Sequence, residues 1–554
     1  MEKGKTPIQS TAVSLQSQTP RGGSAAPIHG DSWNVLICGD FGFASHKPQR
    51  VHISEWNDFM VQSRVILSGN VPDCCSGQEK QVFVDYTVDS MRDFSAPAIE
   101  KRAALLAPFH ETITVLNDLF DGKITPDRAV ERIEQTALPS VRKRAILGLL
   151  GKKSPSAPAP RPRTQQGTAH IDSLLAMVDM PVQGEATGVQ TPVSDASSAL
   201  FTAVTGGSAI IIPRHELQEQ RESCESVVKR QVEQIIRAEF FSKRYASWSC
   251  LKEVIGTIGR TKGITVSVFS CGHESMADAL AQVLQSSSEQ GLPPDIVLID
   301  DEYSFSNADI SRLETMAQAA SDNMCSVVAA IDSHDALFSG IESRDTLAQF
   351  FDDLRFLPFK KLRSNPLSRC LTLCGPKGMP GDEEAVAASA GWRVLFSWVN
   401  AFLSGQPLFE CTQDQTGTPM SASPAVAIPM PIVKEAAEWG LTLFSSVAEA
   451  SVPAATLVDD QAANPAYSRF GYNLAVNRMG RLIARVVAAT RESAAGERLT
   501  DTIKAPVIRQ LASYDLLSSD TAVSVEIDDR GPVTVIVDSE KTVCGYPLYL
   551  QVSV

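Results

Sequence analysis

Apolar positions come along this chain in short blocks separated by polar turns, and the clearest blocks lie near its centre. Asp295-Ile-Val-Leu-Ile-Asp300 is a brief apolar run behind a Leu-Pro-Pro breaker, the pattern of a buried strand. After it, Asn307 or Asp309 is placed to cap a helix on which Ile310, Leu313, Met316, Ala317 and Ala320 share one face. Asp322-Asn323 breaks that period, and Cys325 to Ile331 is a second apolar run. Strand, helix and strand in this order predict a βαβ unit with a parallel pair and a right-handed crossover.

The same reading extends in both directions. Asn34 to Cys38 predicts a strand entering the turn Gly39-Asp-Phe-Gly42, and Gln49 to Ile53 a second strand. Ser54 is placed to cap a helix carrying Trp56, Phe59 and Met60, and Gln81 to Asp85 alternates like a half-buried strand. Ser95-Ala-Pro97 is a helix start with proline in its first turn, and Leu105, Leu106, Phe109, Ile113, Leu116 and Phe120 continue the apolar face. Ile264 to Val268 alternates again. Asn464 to Arg491 is the longest helix candidate, with Phe470, Leu474, Leu482, Ile483, Val486 and Val487 on its apolar face. Arg478, Arg481 and Arg485 fall at i, i+3 and i+7 and form one basic stripe, either a solvated face or a contact surface. At the end, Ala522 to Ile527 and Pro532 to Val537 flank Asp528-Asp-Arg-Gly531 as a hairpin, and Pro547 to Val554 adds a further strand. The predicted fold class is α/β (α+β mixed), with a βαβ core and C-terminal β-strands.

Composition then divides the chain. Residues 1–30 are rich in Ser, Gln, Thr, Gly and Pro and predict a disordered or extended arm; 31–150 form a small α/β region; 151–194 are a Pro-rich linker; 195–554 form the large domain. Inside the linker, Leu174, Leu175 and Met177 mark a short amphipathic island that either packs on its own domain or serves a partner. A net charge of −14 argues against generic nucleic-acid binding. No apolar run is long enough to span a bilayer and the N-terminus lacks a signal-peptide core, so no membrane insertion and a cytoplasmic location are expected. The eleven cysteines are scattered, and Cys74-Cys75, Cys271-x-His273 and Cys370-x3-Cys374 have no matching second pair. Reduced thiols and no metal site are the expectation.

Candidate chemistry is sparse. Asp300, Asp301 and Glu302 follow an apolar strand as metal-binding acids do in nucleotidases, but no Gly-rich loop ending in Gly-Lys-Ser/Thr accompanies them. A nucleotide- or metal-binding enzyme using this turn stays a remote alternative beside a structural acidic turn. Ser333-His334-Asp335 are adjacent and cannot relay a proton, and neither a Gly-x-Ser-x-Gly elbow nor a His-Glu-x-x-His helix is present. No enzyme and no cofactor are expected.

Asp300-Asp-Glu-Tyr-Ser-Phe305, the helix and small-residue strand after it, and Ala336-Leu-Phe338 resemble the large subunit of the type VI secretion contractile sheath (TssC, or VipB). The resemblance continues through Arg244-Tyr-Ala-Ser-Trp248-Ser-Cys-Leu251, Arg369 to Pro376, Ala390-Gly-Trp392 to Phe402, and Tyr472, Leu474 and Arg478. Gly39-Asp40-Phe41, Arg50 to Phe59 and Ser90-Met-Arg-Asp-Phe-Ser-Ala-Pro97 resemble the small subunit (TssB, or VipA). Asp301 stands where the family has Gly, Met479 where Phe is usual, and one residue is inserted before Pro97.

The resemblance implies a single-chain fusion, 31–150 small-subunit-like and 195–554 large-subunit-like, that polymerises helically with itself into a hollow bacterial tubule. It implies an Hcp-like inner tube, baseplate proteins and a ClpV-type AAA+ ATPase as partners, with a non-contractile tubule or scaffold as the alternative. Arg478, Arg481 and Arg485 would then contact the tube in the lumen, and Leu174, Leu175 and Met177 would be the ATPase-recognition helix. The terminal strands would be exchanged between subunits through Val523, Val525, Ile527, Val533, Val535, Val537, Leu548, Leu550 and Val552, since an unpaired edge invites pairing with another chain.

Overall fold

Ile296–Tyr303 buries every residue but Glu302, which a strand can do only when both faces of its sheet are covered. The computed structural model describes residues 13–14, 32–44, 47–76, 80–151, 214–259, 263–290, 293–341, 346–379, 388–404, 423–424, 428–444, 454–459, 465–491, 498–517, 519, 522–527 and 532–554. Its strands are β1 (Val13–Ser14), β2 (Trp33–Gly39), β3 (Gln49–Val51), β4 (Val65–Pro72), β5 (Gln81–Val88), β6 (Ile264–Ser270), β7 (Ile296–Tyr303) and β8 (Ser326–Ile331). They continue with β9 (Leu371–Gly375), β10 (Gly378–Met379), β11 (Ser423–Pro424), β12 (Leu441–Leu443), β13 (Val523–Ile527), β14 (Val533–Val543) and β15 (Tyr546–Ser553). The helices are α1 (Trp56–Ser63), α2 (Ala96–Arg102), α3 (Ala107–Phe120), α4 (Pro126–Gln135), α5 (Ser140–Leu149), α6 (Arg214–Arg237), α7 (Glu239–Ile258) and α8 (Met276–Glu289). After them come α9 (Asn307–Asp322), α10 (Ala348–Phe351), α11 (Leu357–Arg363), α12 (Gly391–Leu403), α13 (Met430–Glu438), α14 (Phe470–Arg491) and α15 (Arg498–Ser513). The fold is mixed α/β.

Two compact units divide the chain. The first takes Met1–Ser68, Asp85–Phe94 and Ala238–Val554; the second takes Gly69–Val84 and Ser95–Arg237. The first holds a seven-stranded sheet in the order β12-β9-β8-β7-β2-β6-β3, parallel except that β3 runs antiparallel to β6. The expected βαβ unit is β7-α9-β8, and Ile310, Leu313, Met316, Ala317 and Ala320 are all buried. Its details differ from expectation in two places. The helix is capped by Ser306, whose side chain accepts from the Asp309 amide, and not by Asn307 or Asp309. The strand also runs on to Tyr303, so Asp300, Asp301 and Glu302 lie within β7 rather than in a turn, where the β7/β8 register shifts between Leu298 and Glu302.

The larger difference concerns β2. It pairs with β6 on one side and β7 on the other, Trp33 opposite Ile264 and Val35 opposite Ile296. A strand from the N-terminal region therefore sits inside the sheet of the large region, and the compact units do not follow the division expected at 151–194. Gly39 ends β2 where an added Cβ would lie 3.1 Å from the Asp300 Cβ. The Gly39–Gly42 turn is held structurally: Trp248 Nε1 donates to the Phe41 carbonyl (3.0 Å) and Arg244 to Asp40 (2.8 Å). Gly42 has φ +76°, and a Cβ there would stand 2.8 Å from the Ile66 carbonyl.

The second unit is helical around Phe109, Leu116, Val130 and Ile133, with Val227 and Val228 of α6 also buried. Its one continuous predicted face is broken, since α2 ends at Arg102 and α3 starts at Ala107 with Pro108 in its first turn. Gln231 is fully buried and satisfied: its Oε1 accepts from the Cys74 amide (2.7 Å) and its Nε2 donates to the Pro72 carbonyl (3.1 Å). The expected arm and linker lie outside the described residues, apart from β1 and Gly151.

Candidate functional site

The C-terminal strands form a four-stranded sheet in the order β1-β15-β14-β13. Val523, Val537 and Leu550 stand in one cross-strand row and Val525, Val535 and Val552 in the next. With Ile527, Val533 and Leu548 they make one face of the sheet. All are buried except half-buried Val525 and Ile527, which is 39% exposed. This face packs on α14 and α15, and Tyr472 Oη donates to the Pro547 carbonyl (3.3 Å) and accepts from the Tyr549 amide (3.3 Å). The alternating residues are thus the core of their own sheet. Pairing with another chain has to run through backbone at an edge.

The register identifies which peptide groups are on offer. Val533 and Val554 exchange both hydrogen bonds, at 3.1 and 3.0 Å. Val533, Val535 and Val537 therefore direct their peptide groups toward β15, and Thr534 and Ile536 toward β13. The close Thr534–Ser553 pair, with hydroxyls 3.0 Å apart, is the non-hydrogen-bonded site this alternation requires. Opposite Thr534 and Ile536 stand Glu526 and Ser524. Val523, Val525 and Ile527 consequently turn their N–H and C=O groups to the outer edge, and no strand among the described residues pairs there. On the far edge, β1 runs parallel to β15 with Val13 opposite Val552.

The basic stripe on α14 is not a surface. Arg478 is 4% and Arg481 11% exposed, and both bond Asp295, which is 1% exposed. Arg478 donates to both carboxylate oxygens (2.9 and 2.8 Å) and lies over the Trp33 ring, 4.5 Å from its centre. Arg481 donates to Asp295 and to the Pro294 carbonyl, and the Asn34 amide donates to Asp295 as well (2.8 Å). These two arginines join the starts of β2 and β7 to α14, which corrects the reading of them as a lumen contact. Arg485 alone of the three is exposed. Leu174, Leu175 and Met177 lie outside the described residues.

The acidic run on β7 is committed to protein partners. Asp300 is fully buried; its Oδ1 accepts from Trp392 Nε1 (2.8 Å) and its Oδ2 has no hydrogen-bond partner. Burial pushes its carboxyl up to about 6, against the opposing pull of Ser247 and Trp392. Asp301 accepts from Lys243 (2.7 Å) and His273 Nδ1 (2.6 Å), and these partners hold its carboxyl below the usual range despite burial. Glu302 accepts from the Ser333 amide and hydroxyl (3.3 and 3.2 Å). Among the described residues no group of three or more His, Cys, Asp or Glu is arranged to hold a metal ion.

A raised carboxylate favours the folded state at low pH and loses that contribution as pH rises through its folded value. Asp300→Asn is therefore expected to stabilise the protein above pH 6, by up to about 3 kcal/mol, and to give no advantage below pH ~4. Urea unfolding across that range checks it. His273 was visible in the sequence only as part of Cys271-x-His273. Its partner Asp301 is 28 residues away, beyond any local spacing rule.

Residues 219–380 match the family described as VipB: EvpB/VC_A0108, tail sheath N-terminal domain. No curated protein matches the chain. Among solved structures, a chain of the cryo-EM structure of the anti-feeding prophage (AFP) baseplate, 6-fold symmetrised, is 8% identical, with a TM-score of 0.35 over 51% of this chain and 71% of that one. None of the described helices is long and apolar enough to cross a membrane. The family match takes in α7, β7, α9 and β8.

Proposed function

We propose that this chain is a structural protomer that assembles with copies of itself into a hollow, sheath-like tubule of a type VI secretion or related contractile injection system. The observation that carries this reading is the tail-sheath match across the segment containing the βαβ unit. The outward-facing backbone of β13 supports it by offering an edge for a neighbouring strand. The placement of β2 between β6 and β7 supports the further reading that small- and large-subunit-like parts are joined in one chain. Joining them fixes their ratio and makes their pairing intramolecular, at high effective concentration. An Hcp-like inner tube, baseplate proteins and a ClpV-type ATPase are the partners such a tubule would engage in a bacterial cytoplasm.

Negative-stain electron microscopy of the purified full-length protein tests the proposal. Tubes of uniform diameter are expected. Two diameters would assign contraction, and a single one a static tubule. Monodisperse monomers under all conditions would overturn the reading.

A further inference from the structure

We propose that the proton on His273 completes a hydrogen-bonded clasp at the carboxyl end of the central sheet, and that the clasp loosens as pH rises above the ordinary imidazole range. His273 opens the single 3-10 turn His273–Ser275 after β6, and its ring stacks on Tyr303 of β7 with centres 5.0 Å apart. Nδ1 lies 2.6 Å from Asp301 and Nε2 3.3 Å from Asp309 Oδ1. Both ring nitrogens thus face carboxylate oxygens. A neutral imidazole carries one N–H and can serve only one of them, whereas the imidazolium donates to both.

The surrounding charges come from every element packed here. β7 supplies Asp301 and α9 supplies Asp309 and Arg312; α7 supplies Lys243, and Glu274 belongs to the turn itself. Arg312 donates to Asp309 (2.6 Å) and to Glu274, and Lys243 donates to Asp301 (2.7 Å). Asp300 and Glu302 of β7 also act on Lys243, so the carboxylates outnumber the two fixed cations and the protonated ring adds a third. Arg312 Nη1 also lies 3.3 Å from Nε2 and donates to it when the ring is neutral, so protonation exchanges that bond for one from Nε2 to Asp309, while Asp309 and Glu274 go on holding the guanidinium. Burial pushes the Cys271 thiol up to about 12 and Tyr303 higher still, so both are neutral. Asp40, the remaining acid near Cys271, is paired with Arg244 (2.8 Å).

The Asp301 hydrogen bond raises His273 above its ordinary value, against desolvation. A group raised on folding contributes fully below its unfolded value and loses that contribution as pH climbs through the folded one. Asp300, raised to about 6, acts in the same direction over a lower window. Asp301 and Asp309 are lowered, so their contributions are lost only in acid. The clasp is strongest under mildly acidic conditions and joins β6, β7, α7 and α9 there.

The test is urea unfolding of the full-length protein at one low concentration from pH 6 to 8.5, for the wild type, His273→Gln, Asp309→Asn and His334→Gln. His334 is an exposed histidine outside the cluster and serves as the control. The wild-type and His334→Gln midpoints are expected to fall together as pH rises, while His273→Gln falls less steeply, keeping only the slope that Asp300 and the buried thiols supply. Asp309→Asn, which removes one carboxylate, should move the fall to lower pH. A His273→Gln curve parallel to wild type overturns the proposal, because it reports a structural loss without a proton. Should His273→Gln fail to fold, hydrogen exchange of wild-type residues 272–276 and 307–312 decides. Protection lost between pH 6 and 8.5, after correction for intrinsic rate, supports the clasp; unchanged protection overturns it.

Discussion

Val525→Pro is expected to abolish tubule formation while leaving the C-terminal sheet folded. Val525 lies on β13 opposite Val535, a residue whose peptide groups point to β15, so the Val525 N–H faces the open edge. Proline there removes an edge donor and places a ring where a neighbouring strand would dock, without cutting a β13–β14 bond. The intrachain cost is confined to part of a half-buried valine, on the order of 1 kcal/mol. Ser524→Pro is the contrasting change: the Ser524 peptide faces β14 opposite Ile536, so it breaks the ladder within the chain. Sedimentation separates the cases. Wild type should pellet as polymer, Val525→Pro should remain in the supernatant with an unchanged circular dichroism spectrum, and Ser524→Pro should lose thermal stability. Polymer that persists with Val525→Pro would mean that this edge is not the joint. Trimming β15 cannot make the distinction, because β15 lies inside the sheet between β1 and β14.

The elements that proved legible in the sequence are those whose signal is local. The apolar runs of β7 and β8 and the face of α9 are read from spacing alone, as is the alternation in β14 and β15. Partnership is another matter. The apolar run 35–38 of β2 says that both faces of a strand are covered but not which strands flank it, and its neighbours come from beyond residue 263. Periodicity put Arg478 and Arg481 on one face of α14 without saying whether that face is wet. Their counter-ion Asp295 is more than 180 residues earlier in the chain. The carboxylates of β7 read as a turn because charge usually ends a strand; Lys243, 58 residues away from Asp301, lets the strand continue through them. The open edge of the C-terminal sheet is hidden from the sequence for a related reason. Alternation marks the buried side chains, while the groups available to another chain are the peptides of an edge strand, which carry no side-chain pattern.

Asp295→Ala is expected to cause the largest loss of stability, about 3–5 kcal/mol, because it strands buried cations rather than removing a contact of modest worth. Asp295 accepts from Arg478 through both oxygens, from Arg481, and from the Asn34 amide. With the carboxylate gone, Arg478 keeps the Trp33 face and longer bonds to the Ser32 carbonyl and Tyr514 Oη (3.4 Å each), none of which carries a formal negative charge. Asp295→Asn should fall between, since the amide oxygen can still accept from Asn34 while the charge is lost. Arg481→Ala should cost less than Asp295→Ala, because Asp295 then retains Arg478 and no buried charge is left unopposed. Urea midpoints for the three variants give the order directly, and an Asp295→Ala loss below about 1 kcal/mol would rule the cluster out as a structural tie. The location of the damage discriminates further. Asp295 holds the first residues of β2 against β7 and α14, so hydrogen exchange should rise first at Trp33 to Leu36. If the whole sheet lost protection together instead, β2 would be secured by its ladder bonds to β6 and β7, and the ion cluster would add to global stability without fixing that strand.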